Sequence, residues 1–182
     1  MEIKSKLVKR AKKGDSKAFQ MLIHEEKEKM YRMAYMYMRN EDDALEVFKE
    51  SLYTALNSIN TLKNNRYFST WLMRILINTA IATLKKKQKM VSMENEIIDQ
   101  MESVVHVQIE EQLDLLQAMD EIEEKYKTVL LLRFYQDYTV KQIAVLLDCP
   151  EGTVKTNIRR GLDVLKTKLK GGYFDERQNS IV

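Results

Sequence analysis

Residues 138–169 read YTVKQIAVLLDCPEGTVKTNIRRGLDVLKTKL, and the spacing within them decides the fold class. Thr139 followed three residues later by Gln142 fits a capping box, a helix start in which side chains satisfy the first free backbone donors. Val140, Ile143, Ala144 and Leu147 then mark the buried side of a short helix. Asp148 to Pro150 make a turn, and Pro150 suits the first turn of the next helix, where its missing N–H costs nothing. In that next helix Val154, Ile158, Leu162 and Leu165 recur at i, i+4, i+8 and i+11 and are expected to face inward. Lys155, Thr156, Arg159 and Arg160 are left outside. Upstream, Tyr126, Val129, Leu130 and Phe134 form one apolar face of a helix ending around Tyr135 to Tyr138. Ala144 is small enough for another helix to cross closely, so the segment is predicted to be a helix-turn-helix. Its second helix presents cations and a hydroxyl, the groups that contact phosphates and read base edges in a major groove. Like charges at i and i+4 repel by roughly 0.2–0.5 kcal/mol on a helix, a cost that a polyanion would offset.

The rest of the chain agrees with a helical protein. Its 182 residues are 45% hydrophobic, enough for one domain or two small ones, and 5 Gly and 1 Pro leave few helix breakers. Cys149 has no partner in the chain, which excludes an intramolecular disulfide and favours a reducing compartment. No apolar run approaches the roughly 18 residues that span a bilayer, and the start MEIKSKLVKRAKKGDSKAF lacks a signal-peptide core. A soluble cytoplasmic protein is expected. That basic start reads better as a solvated helix face than as an amphipathic helix lying on a membrane.

Charge divides the chain in three. Met1 to Lys89 carries 19 Lys and Arg against 10 Asp and Glu, Met90 to Glu124 carries none against 11, and Lys125 to Val182 carries 11 against 6. Two basic blocks thus flank an acidic one, whose first half, Met90 to Val107, reads as a linker and whose end forms helix from about Ile109. The basic blocks suit nucleic acid and the acidic one would avoid it. Enzymatic readings fare worse: His24 and His106 stand alone, one Cys and two His make no zinc site, and there is no Gly-rich phosphate loop. Cys149, in the turn, is expected to pack rather than react, and the 11 Met are expected mainly to fill core.

In the N-terminal half, Asp42 or Asp43 can cap a helix with Glu46 near its third position. Leu45, Phe48, Leu52, Ala55, Leu56 and Ile59 share its apolar side, which leaves Glu46, Lys49, Glu50 and Tyr53 outside. A further helix can be capped by Ser69 or Thr70, with Phe68, Trp71, Leu72, Ile75, Leu76 and Thr79 toward a core. Arg74, Asn78, Ile81 and Lys85 form a separate stripe running into Lys86, Lys87 and Lys89.

At these residues the chain resembles a known family. CPEGTVK and the basic residues after it look like region 4 of the extracytoplasmic-function (ECF, group IV) RNA polymerase sigma factors. NEDDALEVFKESLYTALNSINTLKNNRYFSTWLMRILINTAIATLKKKQK is similar to sigma region 2, and order and spacing agree. The resemblance covers about Lys9 to Leu169. It implies an all-α chain of two small helical domains, a region 2 bundle over residues 1–89 and a region 4 helix-turn-helix over 113–170, joined by an acidic linker over 90–112, with a flexible tail at 171–182.

By the same resemblance Asp43, Glu46, Lys49, Glu50 and Tyr53 dock on the clamp helices of the largest subunit of core RNA polymerase, with a further contact at its flap. Arg66, Tyr67, Phe68, Trp71, Arg74, Asn78, Ala82 and Lys85 serve the promoter −10 element, and the loop Leu62 to Phe68 holds a flipped base. Thr153, Lys155, Thr156, Arg159 and Arg160 enter the −35 major groove. Lys49 stands where the family usually has glutamine, and Ala82 and Lys85 stand where many members have Asp and Arg, so the preferred −10 sequence does not carry over. The implied partners are core polymerase, promoter DNA and a cognate anti-sigma factor, commonly membrane-anchored, which would hold the protein at the inner face of the membrane. No cofactor, small-molecule substrate or catalysis of its own is implied. The rival readings are a free-standing helix-turn-helix regulator and an enzyme acting on nucleic acid.

Overall fold

The computed structural model describes residues 2–94 and 110–179, and among them every regular element is a helix, as expected. The chain divides into two compact units, Met1–Gln100 and Met101–Val182.

In the first unit, α1 (Glu2–Ala11) packs on α2 (Ser16–Met38), and α2, α3 (Glu41–Ser58) and α4 (Phe68–Glu94) pack on one another as a three-helix bundle. Each start has a local cause. Asp15 caps α2, its Oδ1 accepting the Ala18 N–H at 3.0 Å while Arg10 Nη2 pairs with its other oxygen at 2.7 Å. At the other end Arg39 adopts the left-handed conformation, φ 56°, and donates its N–H to the Tyr35 carbonyl at 2.8 Å. The very next residue, Asn40, caps α3 by accepting the Asp43 N–H at 3.0 Å, so the chain reverses within two residues. The α3 cap is therefore Asn40, and Asp42 and Asp43 instead occupy the first turn, where their charge complements the helix dipole.

The α4 start differs from expectation as well. A 3₁₀ turn, Asn65–Tyr67, leads directly into the helix; Asn64 caps this turn by accepting the Arg66 N–H at 3.0 Å, which leaves neither Ser69 nor Thr70 with a capping role. The core unites Leu22, Met30 and Met33 of α2, Ala44, Val47 and Ala55 of α3, and Phe68, Leu72, Met73, Leu76 and Ile77 of α4. Leu7, Val8 and Ala11 of α1 are buried too, so this helix turns these apolar residues inside the protein, while Ile3 near its start is exposed.

In the second unit, α5 (Glu110–Asp120), α6 (Glu124–Leu130), α7 (Val140–Leu147) and α8 (Glu151–Asn179) form a smaller bundle, with α8 contacting the other three. Lys127 Nζ donates to Asp120 at 2.5 Å, and Lys168 pairs with Glu121 at 2.7 Å, fastening the α5–α6 turn to α6 and α8. Between α6 and α7 the chain makes a π-helical turn, Leu131–Tyr135. Its wider winding rotates the side chains relative to an α-helical course, so Leu131 and Leu132 are buried while Phe134, expected inward, is 60% exposed.

The acidic linker expected at 90–112 falls mostly outside the described residues: α4 continues to Glu94, α5 begins at Glu110, and His106 lies between. The tail expected to be flexible from 171 is helical to Asn179, as α8 passes through Gly171 and Gly172. A nucleated helix gains one hydrogen bond per added residue, against about 1 kcal/mol for each glycine. No described helix is long and apolar enough to cross a membrane.

Candidate nucleic-acid interface

The helix-turn-helix is assembled by its ends. The capping box at α7 is complete: Thr139 N–H donates to Gln142 Oε1 at 2.8 Å and Gln142 N–H to Thr139 Oγ1 at 3.3 Å. Asp148 closes α7 in the left-handed conformation, φ 54°, and the Cys149 N–H returns to the Ala144 carbonyl at 3.0 Å. Pro150 stands immediately before α8, and its carbonyl accepts the N–H groups of Thr153 and Val154 at 3.0 and 3.2 Å. Cys149 is half-buried, and desolvation followed by the Asp148 charge pushes its thiol pKa up, which disfavours the reactive thiolate.

Val154 anchors α8 in the core, with Ile158 and Leu165 half-buried behind it. Leu162, expected inward, is 43% exposed; the inward position belongs to Gly161. A Cβ on Gly161 would lie 3.1 Å from both Leu130 Cδ1 and Tyr126 Cβ, so α8 crosses α6 closely at Gly161, while Ala144 is buried on α7, which also packs on α8. On the opposite side Thr153, Lys155, Arg159 and Arg160 are exposed and Thr156 is half-buried, its hydroxyl donating to the Gly152 carbonyl at 2.9 Å. The helix thus holds three cations and Thr153 outward on a rigid surface.

In the first unit a second surface runs along α4. Trp71, Arg74, Asn78, Ala82 and Lys85 lie at i, i+3, i+7, i+11 and i+14, one face of a helix. Arg74, Asn78, Ala82 and Lys85 are exposed, while Trp71 is half-buried. Ile81, expected on this stripe, is half-buried, and Ala82 takes its place. Arg66 and Tyr67 are exposed at the head of the stripe. Phe68 departs from its expected role at the −10 element: it is wholly buried and cannot meet a base. Its ring packs against Trp71, centroids 5.9 Å apart, and props that side chain at the surface.

The third surface is on α3. Its buried residues are Ala44, Val47, Ser51 and Ala55, a stripe of small side chains that admits close packing and leaves Leu45 and Leu56, both expected in the core, exposed. They flank Tyr53, which is 70% exposed, and Glu46, Glu50 and Lys49 are exposed on the same helix. Asp43 is turned toward α4, where it pairs with Lys87. The exposed leucines were detectable in the sequence only through the competing stripe of small residues.

Residues 22–90 match the family model described as Sigma-70 region 2, and residues 112–165 match Sigma-70, region 4. Over 147 residues the chain is 35% identical to RNA polymerase sigma factor SigV of Bacillus subtilis, covering 81% of this chain and 88% of that protein. To ECF RNA polymerase sigma factor SigW of the same organism it is 30% identical over 179 residues, covering 91% and 96%. Two solved structures share the fold. One is the sigma factor RpoE in complex with the anti-sigma factor NepR from Bartonella quintana, with a TM-score of 0.68, 18% identity and coverage of 85% and 98%. The other is CnrH in complex with the cytosolic domain of CnrY, with a TM-score of 0.69, 16% identity and coverage of 93% and 98%.

Proposed function

The chain belongs to the extracytoplasmic-function group of the sigma-70 family of RNA polymerase sigma factors, and from that premise we propose how its surfaces divide promoter recognition. It is an alternative sigma factor, which lends promoter specificity to core polymerase while the polymerase supplies catalysis.

The −35 element falls to α8: Lys155, Arg159 and Arg160 neutralise phosphates or reach guanine edges, and Thr153 adds a hydroxyl. Thr156, whose proton is committed to the Gly152 carbonyl, contributes as an acceptor. The −10 element falls to the α4 stripe and the loop before it. Tyr67 and Trp71 offer ring faces on which opened bases stack, each worth about 1–3 kcal/mol, while Arg66, Arg74 and Lys85 attract the backbone and Asn78 offers edge hydrogen bonds. Core polymerase docks its clamp helices on α3, where Leu45, Tyr53 and Leu56 are apolar contacts among Glu46, Lys49 and Glu50. Asp43, bound to Lys87, braces this helix against α4.

The observation that supports this reading best is the pairing, in one chain, of two separately folded helical units that each expose a cationic face. A free-standing regulator needs only the second of these. An anti-sigma factor would restrain the protein by covering the same surfaces, and a membrane-anchored one would hold it at the inner face of the membrane. Run-off transcription with purified core polymerase tests the proposal. Promoter-specific transcripts that require this chain are expected; tight promoter binding by the chain alone, with no specificity added to core, would sink it.

A further inference from the structure

Helix α1 precedes the residues matched to region 2, and none of the recognition surfaces includes it. Its basic residues, and Lys12 just after it, look in sequence like DNA contacts, yet two of these lysines are used internally. Lys12 Nζ donates to the backbone carbonyl of Leu62, where the α3–α4 connection leaves its first 3₁₀ turn. At the far end of that connection Ser69 Oγ donates to Glu26 Oε1 at 2.6 Å, and the same oxygen receives the ammonium of Lys4. Between these two anchors α1 packs against the 3₁₀ turn Asn65–Tyr67.

Glu26 is only 7% exposed, one of the few charged residues so deeply placed. A carboxylate there requires partners, and those it has come from α1 on one side and the first turn of α4 on the other. Burial opposes the charge on Lys4, but Glu26 and Glu25 raise its pKa above the ordinary lysine value, so the ammonium is charged at neutral pH.

We propose that α1 and the turn after it are a positioning clamp for the −10 loop: Lys12 at Leu62, and the chain Lys4–Glu26–Ser69 at the other end, set the spacing at which Arg66, Tyr67 and Trp71 meet the opened strand. A loop pinned at both ends has less freedom to lose when it captures a base, so affinity rises without new contacts to DNA. This rests on the reading of Leu62 to Phe68 as the base-holding loop, and Tyr67→Ala tests that reading separately.

The experiment uses the full chain bound to core polymerase and a fluorescent single-stranded oligonucleotide carrying the −10 sequence, at a temperature where circular dichroism shows each variant folded. Lys12→Met and Ser69→Ala should each weaken capture by about threefold to tenfold, the worth of one hydrogen bond. Core affinity and −35 duplex binding should stay unchanged, and Lys12→Arg and Ser69→Thr should restore capture. The salt dependence of capture separates a clamp from a phosphate contact. Lys12→Met should leave its slope as it was, whereas a slope shallower by about 0.7 would make Lys12 a direct contact and overturn the clamp. If Tyr67→Ala weakens capture and the two clamp variants do not, the clamp is wrong and the loop reading stands. If Tyr67→Ala has no effect, the loop reading fails and the clamp falls with it.

Discussion

Asp15 shows what one side chain does at a helix start. Its carboxylate accepts the Ala18 N–H and pairs with Arg10, and these contacts hold its pKa below the usual aspartate value. A depressed folded pKa contributes stability above the unfolded value, about pH 4, and that contribution is lost as the pH falls through the folded value. Thermal unfolding of wild type and Asp15→Ala should therefore differ at pH 6, with wild type the more stable, and converge near pH 2; a gap that persists in acid would refute the charged cap. Arg159 works at the same scale but outward. If it meets a phosphate, Arg159→Ala should weaken −35 duplex binding and reduce the salt slope by about 0.9, measured by fluorescence anisotropy of the holoenzyme across salt. The aromatic pair illustrates a limit of reading residues alone: Phe68 and Trp71 both suit a core or a base stack in sequence, and only their packing assigns Phe68 inward and Trp71 to the surface.

Elements were legible where their ends carry local chemistry. Thr139 and Gln142 announce α7 because the capping box lies within four residues, and Pro150 announces α8 for a similar reason. The inward faces were less legible. On α8 the choice between Leu162 and Gly161 depends on how close α6 comes, and hydrophobicity alone favours the leucine. Gly161→Leu should consequently destabilise the second unit by about 1–3 kcal/mol despite its better helix propensity, because the Tyr126 Cβ cannot move away without its backbone. Urea unfolding followed by circular dichroism measures this; an unchanged or raised stability would mean that α6 and α8 can separate at little cost. On α3 small residues won the core for the same reason, and larger neighbours were displaced to the surface.

For the whole molecule, two units with their own cores allow the two tasks to be separated by mutation. Replacing Arg159 and Arg160 with Ala should impair transcription from promoters that depend on the −35 element while leaving core affinity intact. Glu46→Ala with Glu50→Ala should weaken core binding, read by co-elution with polymerase, and spare −35 recognition by whatever holoenzyme forms. If either pair impairs both functions, the division of labour fails. The charge division follows the units only in part: the cations of the second unit come after Glu124, while most of the acidic block lies within that unit, in α5 and at the start of α6.

Helical class, the two-unit organisation, the helix-turn-helix and most of the exposed cations were decided by local pattern, because capping, turn chemistry and apolar period act over a few residues. Four outcomes were not local. The π-turn exposed Phe134, Gly161 replaced Leu162 at the helix crossing, Leu45 and Leu56 were left on the surface of α3, and Lys4 and Lys12 were bound within the first unit instead of facing outward. Each depends on which other element approaches and how closely. That distance is a property of the packed chain, and a hydrophobic period cannot contain it.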